Sequence, residues 1–173
     1  MSPLNYLGDL RPAFVAHLAD RLNEAICRET QAHADTMGIR APAKTHSALL
    51  YLHLHGAATL TQIAKIDGQS HQLLAARLAP LEQLGLIERV VDPADGRRRP
   101  YRLTRSGREE AKKVLAAASL AAAAMRQLFG ELGFDLLEAL ERAIERLRVE
   151  PFRARMQRAS APGPARRAQG AAE

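Results

Sequence analysis

Between residues 60 and 105 the apolar period of this chain switches from helical to alternating and back, and that switch leaves few folds open. Residues 60–66 read as a short helix capped by Thr59, with a tight turn at Asp67-Gly68. A further helix opens at Ser70 and carries Leu74, Leu78 and Leu81 on one stripe until Gly85 stops it. Two short helices about such a turn form the helix-turn-helix pattern. Residues 86–91 then alternate and are rich in β-branched side chains, while 92–99 are polar, with Pro93 and Gly96. Residues 101–104 read as a returning strand. Strand, basic loop and strand directly after a helix-turn-helix predict a winged helix.

Helical segments flank this unit on both sides. Residues 10–37 read as one long helix, because Phe14, Leu18, Leu22, Ala25 and Ile26 recur at spacings of three and four. Pro12 fits its first turn, and Gly38 ends it. Residues 44–55 supply another helix, with Leu49, Leu50, Leu52 and Leu54. After the wing, residues 105–132 are helical, opened by Ser106 and Glu109 as a capping box. Residues 134–147 form a last amphipathic helix through Leu136, Leu137, Leu140, Ile144 and Leu147, and 159–173 read as a disordered tail of Ala, Gly, Pro and Arg.

Helices this long cannot bury all their stripes on so small a core. An intramolecular bundle is one outlet; a two-fold dimer is the more economical one. The expected fold is mainly α with a small β-hairpin wing. A winged helix-turn-helix at 41–105 lies between an N-terminal dimerisation helix at 1–40 and C-terminal dimerisation helices at 106–150.

Composition narrows the function. Hydrophobic residues make up 47% of the 173, mostly Leu and Ala, which suits helices with a core. A formal charge of +6 favours polyanionic partners, nucleic acid first. The single Cys27 fits a reducing compartment, and no secretory signal or spanning segment is legible, so a cytoplasmic location is expected.

The DNA-facing residues follow from the helical wheel. With Leu74, Leu78 and Leu81 inward, Gln69, Gln72 and Ala76 face outward and Ala75 sits on the shoulder, joined by His71 at the helix start. Gln72 suits adenine, and Ala75 or Ala76 suits a thymine methyl. The N-terminus behind Ser70 suits a phosphate. In the wing, Arg97, Arg98 and Arg99 head a run continued by Arg102, Arg105 and Arg108 with no acid among them. An arginine there can enter a narrow minor groove. Asp95 would be costly beside phosphate, so it reads as a structural partner within the wing or of Arg77.

These residues also carry a likeness. Leu81-Glu82-Gln83-Leu84-Gly85-Leu86-Ile87-Glu88-Arg89, Asp92-Pro93-Ala94-Asp95-Gly96-Arg97-Arg98 and Leu103-Thr104-Arg105-Ser106-Gly107 together resemble the MarR family. The resemblance implies a homodimeric repressor of transcription that reads a palindromic operator and is often released by a small aromatic acid or phenol. It also marks departures. Pro80 lies where the family usually continues its recognition helix, and Ala75 and Ala76 stand where polar or basic readers are common. A winged-helix module that binds protein rather than DNA is therefore the rival reading.

An enzyme is not expected. The six His are scattered, and there is no Gly-rich phosphate loop, Cys pair or nucleophile–base constellation. No cofactor or metal site is expected, and His17 and His33 read as surface or packing residues before zinc ligands. An effector pocket is bounded only to the seam of the first, second and fifth helices, with His33, Met37, His46, Leu50 and His53 as lining candidates. Cys27 is the one candidate for a redox-responsive variant of the regulator, against a simpler role as a small packed thiol.

Overall fold

A computed structural model of the chain describes residues 4–68, 70–92 and 94–160. These fall into two compact units that divide between Ala122 and Ala123.

The first unit opens with 3₁₀ turns over Asn5–Phe14, broken at Gly8 (φ +50°), and the helix α1 proper spans Val15–Thr36. The expected helix from residue 10 thus starts five residues late. Pro12 has no N–H to extend an α ladder, and the N–H of Val15 bonds instead to the Pro12 carbonyl in 3₁₀ fashion. At its other end α1 stops as expected: Gly38 takes φ +61°, and the N–H of Ile39 reaches back to the Ala34 carbonyl at 3.0 Å.

A short 3₁₀ turn at Ala43–Thr45 leads into α2 (His46–His55), followed by α3 (Leu60–Asp67) and α4 (His71–Gln83). Thr59 and Gln62 close a reciprocal capping box on α3, and Gly68 ends that helix in the left-handed region. Ser70 caps α4 by accepting the N–H of Leu73 at 3.2 Å. Leu74, Leu78 and Leu81 are fully buried, as the wheel requires. Pro80 sits inside α4, which nevertheless continues to Gln83.

The wing is a two-stranded antiparallel sheet, β1 (Ile87–Arg89) and β2 (Tyr101–Leu103), with Ile87 opposite Leu103 and Arg89 opposite Tyr101. The strands are shorter than the alternation suggests. Pro100 has no N–H for the ladder, so beyond Arg89 the pairing thins to bonds from Val90 to the Pro100 carbonyl at 2.9 Å and from Asp92 to the Arg98 carbonyl at 3.3 Å. Ala58 pairs with Tyr101 through two backbone bonds of 2.9 and 2.8 Å, which ties the helix-turn-helix to the wing stem.

Helix α5 spans Arg105–Leu132. Its cap is not the expected Ser106–Glu109 box. Thr104 Oγ1 accepts the N–H of Gly107 at 3.0 Å, while Ser106 donates to the Gly85 carbonyl and Glu109 pairs with Lys112. Thr104 wins because it follows directly on the last residue of β2, which places its hydroxyl at the first turn, two residues earlier than composition alone suggests.

The second unit holds α6 (Leu136–Val149), capped by Asp135, and α7 (Phe152–Ser160). No helix was expected at α7; instead Ala159 and Ser160 were assigned to the tail. Arg155 secures it by donating to the Arg146 and Glu150 carbonyls at 3.1 and 3.2 Å at the C-terminal end of α6, where a cation is favoured. The rest of the expected tail, 161–173, lies outside the described residues.

Candidate nucleic-acid interface

The facing of α4 is set by its buried stripe. With three leucines locked inward, α4 turns Ser70, His71, Gln72 and Ala76 to solvent and leaves Ala75 half-buried. Gln69 lies outside the described residues. One exposed side chain escaped the sequence reading. Leu73 is 46% exposed at the start of α4, so the leading turn offers an apolar branch between His71, Gln72 and Ala76. Its wheel angle next to Leu74 was the available signal.

The wing loop is held by its own polar groups. Asp95 Oδ1 accepts the N–H of Arg97 at 3.1 Å, and its Oδ2 lies 3.3 Å from Nε of Arg98. Asp92 accepts the N–H of Ala94 at 2.9 Å, and the Arg98 N–H bonds the Asp95 carbonyl at 2.9 Å. Arg99 folds back onto the carbonyls of Gly96 and Arg98. Arg77 stands half-buried on α4. Arg97 differs: it is exposed, and among the described residues its guanidinium has no hydrogen bond or ion pair.

Farther down the stem the charges are also paired. Arg102 meets Glu88 across the strands at 2.9 Å, and Arg108 donates to the Leu103 carbonyl at 3.1 Å. Arg89 bridges Glu82 of α4 at 3.0 Å and lies 4.8 Å above the Tyr101 ring, fastening α4 to the wing. Glu82 beside it raises the Arg89 guanidinium above its ordinary pKa. Burial, against the pull of Arg89, pushes the Tyr101 phenol up.

The pocket candidates do not converge on one visible cleft. An apolar cleft of about 270 Å³ beside α2 takes Leu50, but its other walls are Tyr51 and Leu54 of the same helix with Ile63 and Ile66 of α3. His46 Nε2 lies 2.9 Å from the Ala41 carbonyl, His33 is exposed, and Met37 and His53 are half-buried. At Cys27, the half-buried thiol donates to Asn23 Oδ1 at 3.6 Å, and the neighbouring Arg28 is turned to Glu29. Among the described residues no cluster of His, Cys, Asp or Glu fits a metal ion, and no helix is long and apolar enough to cross a membrane.

Residues 41–98, the helix-turn-helix and most of the wing, match the family model described as MarR family. No curated protein matches the chain. Among solved structures, the fold is similar to that of S. aureus MepR in complex with DNA. The identity is 24% over 77% of this chain and 94% of that one, with a TM-score of 0.59. The PcaV transcriptional regulator from Streptomyces coelicolor, solved with its natural ligand, is similar at 22% identity over 78% and 92%, TM-score 0.58. A regulator structure from Pseudomonas aeruginosa reaches 27% identity over 75% and 96%, TM-score 0.53.

Proposed function

We propose that this chain is a MarR-family winged-helix transcription regulator and that it acts in the cytoplasm as a homodimeric repressor that reads a palindromic operator. A small aromatic or phenolic ligand releases it. The observation that carries the DNA-binding part is the pairing pattern of the wing: Asp95 and the loop carbonyls engage Arg98 and Arg99, and Arg97 keeps its charge for a partner. Beside it, α4 offers a capped N-terminus with Gln72 and Ala76 exposed, which suits a phosphate and base edges. Asp95 then organises the wing, and Arg77 supports it from α4. A DNA-bound relative of similar fold, MepR, supports the same reading.

The dimer is supported by what the chain leaves uncovered. Tyr6, Leu10, Phe14 and Leu18 at one end, and Leu137, Leu140, Ile144 and Leu147 on α6, are exposed large apolar residues. Such faces mark association surfaces, and two reading helices on a two-fold axis suit half-sites about 34 Å apart. The ligand part leans on PcaV, whose structure holds its natural ligand; the half-buried His46, His53 and Met37 with Leu50, and the exposed His33, remain the proposed lining.

Selection of duplexes from a random library, followed by affinity measurement across salt concentrations, tests the whole. A two-fold symmetric consensus, bound with a clear negative slope of log K against log[salt], is expected. The exposed Leu73 and the alanines beside it favour the protein-binding module instead, and absence of any duplex binding in dilute buffer would decide for that module.

A further inference from the structure

Glu110 is a charged side chain in the core that neither α4 nor the wing uses. It stands on α5 and is only 3% exposed. One carboxylate oxygen accepts the backbone N–H groups of Arg40 and Ala41, the latter at 3.0 Å, and the other lies 3.9 Å from Nε of Arg40. A carboxylate is costly to bury, and two amide hydrogen bonds, with the Arg40 guanidinium as a nearby counter-charge, offset that cost. No local pattern in the sequence signals it, since Glu110 sits 70 and 69 positions from Arg40 and Ala41.

The segment Glu110 grips is the junction between α1 and α2. Around it, Lys113 of α5 donates to the Gly38 carbonyl at 3.0 Å, and Gln31 of α1 accepts the Ala43 N–H at 2.8 Å. One turn earlier on α5, Gly107 lies directly against the Leu86 carbonyl at the start of the wing. The winged helix has two covalent exits, at residues 38–45 and at Thr104, and α5 holds both within one turn.

We propose that Glu110 is a positioning residue for DNA recognition: it fixes the angle at which α4 and the wing leave the flanking helices. It thereby sets the half-site spacing that a dimer accepts. This rests on the dimeric, DNA-binding reading above. Each added base pair moves a half-site by about 3.4 Å and about a tenth of a turn, so a stiff junction accepts one spacing and a loose one accepts several. A carboxylate that merely stabilised the core would leave the spacing preference alone.

The test uses the full chain. Duplexes enriched by the wild type are rebuilt with one or two base pairs added or removed between half-sites. Affinities are measured for the wild type, Glu110→Asp and Glu110→Ala, with fold checked by circular dichroism and dimer mass by sedimentation. The wild type is expected to prefer one spacing by about tenfold or more. Both variants should flatten that preference to less than about threefold while changing affinity for a single half-site by less than about twofold. Shortening by one methylene in Glu110→Asp keeps the charge, so a flattened profile there isolates geometry. A folded variant with the wild-type profile overturns the proposal. So does equal loss of affinity at every spacing, or failure of both variants to fold. A wild type that enriches no duplex, or sediments as a monomer, instead removes the reading on which the proposal stands.

Discussion

A Cβ built on Gly107 would lie 1.8 Å from the carbonyl oxygen of Leu86. The first turn of α5 therefore touches the entry of the wing backbone to backbone, and only a glycine permits it. The contact explains why a Leu-Thr-x-x-Gly run ends the winged helix in this sequence: Leu103 fills the core, Thr104 caps α5, and Gly107 lets the helix close on Leu86.

Replacement of that glycine is expected to be severe. Gly107→Ala should lower unfolding free energy by about 3 kcal/mol or more, because the clash is with main chain and cannot be relieved by a rotamer change. Gly130→Ala, also within α5 but with open space around the built Cβ, should instead be neutral or stabilising by up to about 1 kcal/mol. Urea unfolding of the two variants checks the contrast; equal effects would mean the close approach is not real.

On the wing, Arg97→Ala should weaken binding to all duplexes and reduce the salt slope by about 1, the signature of one lost phosphate contact. Asp95→Ala should act differently. It frees Arg98 and loosens the turn at Arg97, so affinity falls through loss of wing order, and protease cleavage in the loop rises. Salt titration of both variants separates them.

The raised pKa of Tyr101 carries a pH consequence. The folded state favours the protonated phenol more than the unfolded chain does, so this stabilisation is complete below the ordinary tyrosine pKa of about 10. It is lost as pH climbs from there through the folded-state value. Stability should therefore decline on the alkaline side of about pH 10, and Tyr101→Phe should reduce that decline while changing neutral-pH stability little. Thermal melts across the alkaline range are the measurement. An identical alkaline profile in the variant would assign the decline elsewhere.

Charge placed on α6 should separate subunits without unfolding the first unit. Ile144 is 67% exposed, so Ile144→Arg loses almost no burial within its own chain. In a dimer that covers this face, the same change buries an unpaired charge, and the dissociation constant should rise about a hundredfold or more. Sedimentation at several concentrations reads the effect; an unchanged dimer would place the interface off this face.

Cys27 should alkylate slowly at neutral pH. Its thiol is half-buried and donates to Asn23, and Arg28 is engaged by Glu29. Modification at a rate above that of free cysteine would instead support the redox-responsive reading.

Local chemistry determined much of this protein on its own. Thr59, Gly68, Ser70 and Gly85 punctuate α3 and α4, and the Leu74, Leu78, Leu81 stripe orients α4, because caps and apolar period act within a few residues. The wing was legible for the same reason. What only the tertiary structure decided depends on groups distant in the chain. Glu110 meets Arg40 and Ala41, Gly107 meets Leu86, and Ala58 joins β2, pairings that leave no period to read. The same holds for the division of labour among the wing arginines. Identical side chains in sequence, Arg97, Arg98 and Arg99 differ only because the turn brings Asp95 and two carbonyls within reach of the latter two.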